Sequence, residues 1–304
     1  MQTILATLTL VVEKVPHFAV GMLLVFVGKL FYNLTTRYHI DHEIADNGND
    51  AIGLSFGGYL LGLGFVIAAA ARGSGGEMLT DLVNLVVVGV IAILLLRLSG
   101  IINDRLVLHA FSTEHEMVQE RSAGTGVVVG GMTVATGLMI SGVMEGQSAN
   151  YLALLRDIAI YWLVGQALLV LDGLVFQAIT SYDVHGVIED DKNVAAGVSF
   201  AGFLVAQGVI VRTAVAGAGS DLGTEVLITA VIAICGLILL VIGRVIADRV
   251  FLPRAALSDE VRAKRNTAAA AIAAASFIVV ALMYSGAADP NVVLAPLAEG
   301  AAAP

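Results

Sequence analysis

The segment YHIDHEIADNGND, Tyr38 to Asp50, brings two histidines and four acidic side chains into one short stretch. On a helix, His39, His42, Glu43 and Asp46 would share a face, at the spacing with which imidazoles and carboxylates ligate a metal. A second place for chemistry lies inside the apolar runs. Lys29 and Asp172 are the clearest ionisable residues there. A charge at that depth costs on the order of 2.5–3.5 kcal/mol on insertion scales, so each needs a partner or a task. Lys29 is close enough to the end of its run to snorkel, whereas the shorter Asp172 lies about 10 Å from its end at 1.5 Å per residue. Gln166 and Gln177 flank Asp172 and would extend a polar stripe. The chain has no GxGxxG after a strand, no Walker loop, no HExxH and no histidines on two helices spaced for haem. Cys235 is the single cysteine, which excludes an intrachain disulfide and a CxxC site. Neither an enzyme nor a resident cofactor is expected.

These residues sit in a chain suited to lipid. Of 304 residues, 58% are hydrophobic and 13% charged, about half the ~25% charged share of a soluble domain. Mean hydropathy is +0.90. The charges gather between apolar runs near 16–36, 51–71, 80–100, 123–144, 152–178, 194–215, 225–246 and 267–286. Runs of about 20 residues match a hydrocarbon core of about 30 Å. The reading is an all-α polytopic membrane protein with eight transmembrane helices. A net charge of −9 argues against nucleic acid and against a polybasic grip on anionic lipid. The N-terminus lacks the basic region and small-residue cleavage site of a removable signal peptide.

Shifting the chain by 144 residues lays the second half on the first without a gap. Tyr38 meets Tyr182, Asp46 meets Asp190, Asn49 meets Asn193 and Ser55 meets Ser199. Asp104 meets Asp248 and Glu116 meets Glu260. The expected organisation is two tandem four-helix parallel repeats, 1–150 and 151–288, followed by a disordered tail, 289–304. An even number of spans keeps both repeats in one orientation, related by a pseudo-two-fold axis along the membrane normal. A weaker echo lies inside each repeat: spans two, four, six and eight each follow a charged segment and open with small residues.

The duplication also tests the histidine cluster. His39 becomes Asp183, Asp41 becomes His185 and His42 becomes Gly186, a scattering that favours a polar interfacial linker over a metal site. What survives is a helix-start motif, Tyr38, Asp46, Tyr182 and Asp190, with Asn49 and Asn193 placed to cap the following helices and the aspartates to complement their dipoles. Gly53-xxx-Gly57, Gly58-xxx-Gly62 and Gly126-xxx-Gly130 would let helices approach closely. Ser55 and Ser199 lie one turn inside, facing a neighbour or a polar path.

The element E…(D/E)…N-x-A-x-(A/G), leading into a glycine-rich span, occurs as Glu43, Asp46, Asn49, Ala51, Gly53 and again as Glu189, Asp190, Asn193, Ala195, Gly197. It resembles the bacterial and archaeal membrane family catalogued as domain of unknown function 350. The resemblance implies four-span units in tandem and an inner-membrane location, and it supplies no reaction. Glu43 aligns with Val187, so no role passes to that glutamate.

Two functions compete. In one, Lys29, Asp172, Asn49, Asn193, Ser55 and Ser199 line a polar path between repeats for a small ion or solute. In the other, the charged loops 101–121 and 247–265 recruit a cytoplasmic protein partner. The expected location is the cell membrane. Arg37, Arg105, Arg121, Lys192, Arg249, Arg254, Arg262, Lys264 and Arg265 gather on one side, against Lys14, Arg72, Arg156 and Arg212 on the other, which puts both termini outside. The lipid bilayer is the first partner, and a repeat that duplicates in one chain also allows a homo-oligomer.

Overall fold

In the computed structural model, residues 11–72, 77–145, 151–215, 221–253 and 256–288 are described, with Met1, Ile4 and Leu8 before them. The tail 289–304 lies outside the described residues. Eight long helices follow the eight apolar runs: α1 Val15–Thr35, α2 Asp50–Ala70, α3 Met78–Leu106, α5 Ala123–Glu145, α6 Tyr151–Ile179, α8 Val194–Val215, α9 Leu222–Ile246 and α11 Thr267–Ala287. Each is long and apolar enough to cross a membrane. Short helices α4 Thr113–Val118, α7 Val184–Glu189 and α10 Leu257–Arg262 lie between them, with π-helical turns at His42–Asp46 and Ala247–Phe251. The protein is an all-α polytopic membrane protein, with no strand among the described residues.

The helices form two layers. In the inner layer, α2, α5, α8 and α11 stand side by side in that order, all running the same way. The outer layer, α1, α3, α6 and α9, runs antiparallel to them. α3 packs on both α2 and α5, α6 on α5 and α8, and α9 on α8 and α11. The unit of the fold is therefore a hairpin of one outer and one inner helix joined by a short helical segment, repeated four times. The echo inside each repeat is this hairpin.

The packing corrects the pseudo-two-fold arrangement expected from sequence. Such an axis would close the inner layer, with α11 packing on α2 as α5 packs on α8. No comparable α11–α2 contact forms. The two repeats run in parallel, but the inner layer is an open row with a free face at each end.

Glycine sets the spacing within that row. A Cβ on Gly58 would overlap the Gly130 backbone, and one on Gly126 would overlap the Ala51 backbone. Gly62 meets the Thr133 carbonyl, Gly137 the Gly62 backbone, and Gly197 the Gly124 backbone. Close approach of this kind is how helices associate where lipid supplies no hydrophobic drive. The two motifs on α2 differ, however. Gly58 and Gly62 carry the contact with α5, whereas Gly53 and Gly57 have open space where a side chain would stand. Overpacking typically costs about 1–3 kcal/mol, so Gly58→Val is expected to lower the unfolding temperature in detergent, while Gly57→Val leaves it unchanged.

Candidate functional site

Each hairpin turns by the same device, on the side where the inner helices begin. Near the end of the outer helix, one polar side chain accepts a hydrogen bond from a backbone N–H of the short segment. Asn33 Oδ1 takes Ile40 N at 3.0 Å, Gln177 Oε1 takes Val184 N at 2.8 Å and Asp248 Oδ1 takes Leu257 N at 2.9 Å. Asp104 holds both Thr113 N and Thr113 Oγ1. Gln177, read from sequence as part of a polar stripe, serves here instead.

After the short segment comes one residue with positive φ: Gly48 at 59°, Arg121 at 51°, Lys192 at 50° and Arg265 at 50°. For a non-glycine residue this conformation costs roughly 1–2 kcal/mol. Hydrogen bonds made by the adjoining residue hold it in place. That residue sends its N–H back six positions, from Asn49 to Glu43 O at 2.9 Å, Ser122 to Glu116 O at 2.9 Å, Asn193 to Val187 O at 3.3 Å and Asn266 to Glu260 O at 2.8 Å. The same four residues cap the inner helices. Asn49 Oδ1 accepts from Ala51 N and Ile52 N, Ser122 Oγ from Thr125 N, Asn193 Oδ1 from Ala196 N, and Asn266 Oδ1 from Ala268 N and Ala269 N.

Asn49 and Asn193 also tie hairpins together. Asn49 Nδ2 donates to Met117 O at 2.9 Å, and Asn193 Nδ2 donates to Val261 O at 2.8 Å. Met117 and Val261 are themselves 144 residues apart, so the repeat preserves both ends of the bond. The repeats are joined by Lys192 and the buried Glu116, 2.6 Å apart. On the far side Glu145, at the end of α5, pairs with Arg72 beyond α2 and with Arg212 of α8.

The histidine cluster disperses. His42 Nδ1 and Asp46 Oδ2 pair at 2.9 Å on the surface, while Glu43 turns inward to accept from Asn47 and Asn49. Among the described residues, no three histidine, cysteine or acidic side chains come together. Asp46 and Asp190 sit at the ends of the preceding short segments rather than at the inner-helix N-termini. Lys29 bonds Asp41 Oδ1 at 2.6 Å and is not brought to Asp172.

Inside the bundle the two repeats differ. In the first, Tyr32 is the centre of a hydroxyl network, bonded to Tyr38 at 3.3 Å and to Ser55 at 3.4 Å. Tyr59 donates to Gly28 O at 3.3 Å, and the Arg97 guanidinium lies 4.2 Å above the Tyr32 ring. In the second, Tyr32 and Tyr59 become Phe176 and Phe203, which pack with Phe200 and Phe277 in one aromatic cluster. Gly28 becomes Asp172 and Leu63 becomes Gln207. The hydroxyls of Tyr182 and Ser199 lose the partner that Tyr32 supplies to their counterparts.

Of the nine buried side-chain nitrogens and oxygens without a hydrogen-bond partner among the described residues, six belong to Asp172, Gln166, Tyr182, Ser199 and Gln207. Both oxygens of Asp172 are among them, on a residue that is 0% exposed. The others are the His17 ring and Asn103. Burial pushes the phenols of Tyr38 and Tyr182 up, so both stay neutral. Arg244, which sequence reading passes over, lies 6.0 Å from the Phe176 ring and donates to Ser258 Oγ at 3.0 Å. It repeats the role of Arg97, but 147 residues on instead of 144, and the offset hides the pair from the sequence alignment.

Tandem capped hairpins with a polar centre in lipid define a class, the duplicated four-span integral membrane protein. The chain belongs to the family described as Domain of Unknown Function (DUF350), which matches residues 6–144 and again 150–288. Comparison with curated proteins and with solved structures returned no match.

Two outcomes test the device. Asn193→Ala removes a cap, worth about 1 kcal/mol, together with the bond to Val261 O, so unfolding should occur at lower denaturant. Hydrogen bonds from Lys264 and Asn266 hold the Glu260 carboxyl below its ordinary range. A folded value below the unfolded one adds stability that is present above the ordinary glutamate range and is lost as pH falls through the folded value. Glu260→Gln should therefore lower stability at neutral pH and flatten the acid side of the stability–pH curve, the two proteins converging at low pH.

Proposed function

We propose that this chain is a transport-type bundle, carrying a proton or alkali cation along a path centred on the second repeat. The observation that carries this reading is Asp172, a fully buried carboxyl mid-bundle with neither oxygen hydrogen-bonded. An intramembrane carboxyl is expensive to keep and is by default functional. The unpartnered oxygens of Gln166, Ser199 and Gln207 provide further oxygen acceptors, the donor type that hard cations and protons take. These residues lie on α6 and α8, and Gln166 also bonds Thr136 of α5 across the repeat boundary at 3.4 Å. Phe176, one turn nearer than Asp172 to the capped end of α6, belongs to the aromatic cluster, which would serve as an apolar constriction beside the carboxyl.

The unpartnered oxygens of Asp172 and Ser199 support their part in the proposed path. Lys29, Asn49, Asn193 and Ser55 are occupied by Asp41, by caps and by Tyr32, and belong to its frame. The docking alternative gains little from the charged loops. Asp104, Glu116, Asp248 and Glu260 are engaged within the chain.

The test is flux into liposomes holding the purified chain, read separately for protons, Na⁺ and K⁺. Wild-type protein is expected to pass one of them, and Asp172→Asn to abolish that flux without loss of folding. Equal flux in both proteins would remove Asp172 from the path. An absence of flux for all three in wild type would remove the reading.

A further inference from the structure

The 144-residue correspondence indicates what covers the two free ends of the inner row. Between repeats, Gly131 of α5 packs on Ala201 of α8, Ala135 on Gly208, and Gly142 on the Arg212 backbone. Advancing the α5 positions by 144 gives Ala275, Val279 and Gly286, all exposed on α11. Moving the α8 positions back by 144 gives Gly57, Gly64 and Ala68 on the open face of α2. Gly57 and Gly64 have nothing within reach of a side chain, and Ala68 is exposed. The two free faces are therefore the two halves of an interface the chain already makes once. The difference in cover is large: 78% of the apolar stretch of α5 and of α8 is buried, against 33% of that of α11.

Lipid alone is a poor explanation for these faces. Where α1 faces outward it carries Phe18, Leu23, Phe26 and Leu30, whereas the α2 face sets Gly57, Gly64 and Ala68 among the exposed Leu54, Leu61 and Phe65, and small residues are useful where another backbone approaches. At the capped end of this face lies a depression of about 300 Å³ lined by Ile44, Gly48, Asn49, Asp50, Gly53 and Leu54. The equivalent place on α8 is covered by the start of α5, with Gly124 against Asn193 O.

We propose that copies of this chain assemble head to tail, α11 of one packing on α2 of the next in the manner of α5 on α8. Side-chain volume fits this pairing. The methyl of Ala201 moves across the seam, since Gly57 replaces Ala201 while Ala275 replaces Gly131. Val279 in place of Ala135 widens the seam slightly. Gly48 stands where Lys192 stands, so the ion pair with Glu116 has no counterpart, and the contact between copies is apolar. Such a heterologous contact builds a ring or an open array rather than a two-fold dimer.

Cysteine pairs in a Cys235→Ser background test this. Gly57→Cys and Ala275→Cys, co-expressed in one membrane and oxidised, should give disulfide dimers that neither variant gives alone. The two changes in one chain should give a ladder of multimers. No cross-link in the mixture, or dimers from either variant alone, would overturn the proposal. Gly57→Leu supplies a second readout, because open space at that position spares the fold. Wild-type protein in native nanodiscs should have the mass of a multimer and Gly57→Leu that of a monomer with unchanged helical content. A monomeric wild type would also overturn it.

Discussion

In lipid no hydrophobic force draws two helices together, so this fold rests on backbone meeting backbone along the inner row. That contact demands glycine or alanine at each crossing, and it demands that four parallel helices start at one level. The level is set by the capped turns. A residue held at positive φ, a backed-up N–H and an asparagine or serine cap fix where each inner helix begins, and Asn49 and Asn193 fix each start to the neighbouring hairpin. Shifting one start by a residue would rotate its glycines by about 100° and part the row.

With the frame held by caps and glycines, the residues between the layers are released from structural duty and can diverge. The first repeat uses the space for a satisfied hydroxyl network around Tyr32. The second removes those hydroxyls, adds Asp172 and Gln207, and leaves their oxygens unpartnered. A local rule broken in one copy and kept in the other, on the same scaffold, separates function from fold more clearly than either copy could alone.

Much of this was legible in the sequence, for identifiable reasons. The spans are marked by charge clusters separated by membrane-length runs, and the caps at Asn49 and Asn193 by a polar residue placed just before such a run. The left-handed conformation of Arg121, Lys192 and Arg265 was not legible, because nothing in a basic side chain marks it, whereas Gly48 does. Nor could the sequence choose between Gly53-xxx-Gly57 and Gly58-xxx-Gly62. Both permit close approach, and only the position of α5 decides which face is used. Parallel repeats were legible from an even span count, but closure was not, since the same sequence pattern fits a closed pair or an open row. The grip by Gln177 looked like part of a polar stripe because spacing alone cannot show which way a side chain turns.

A functional Asp172 is retained against the interest of the fold. Equilibrium unfolding of Asp172→Leu beside wild type, in the same detergent at neutral pH, tests it most directly. An unpartnered buried polar group costs about 1–3 kcal/mol by mutational measures, so the leucine protein is expected to be more stable by that order. A leucine protein less stable than wild type would mean that the carboxyl holds the bundle together and is kept for structure.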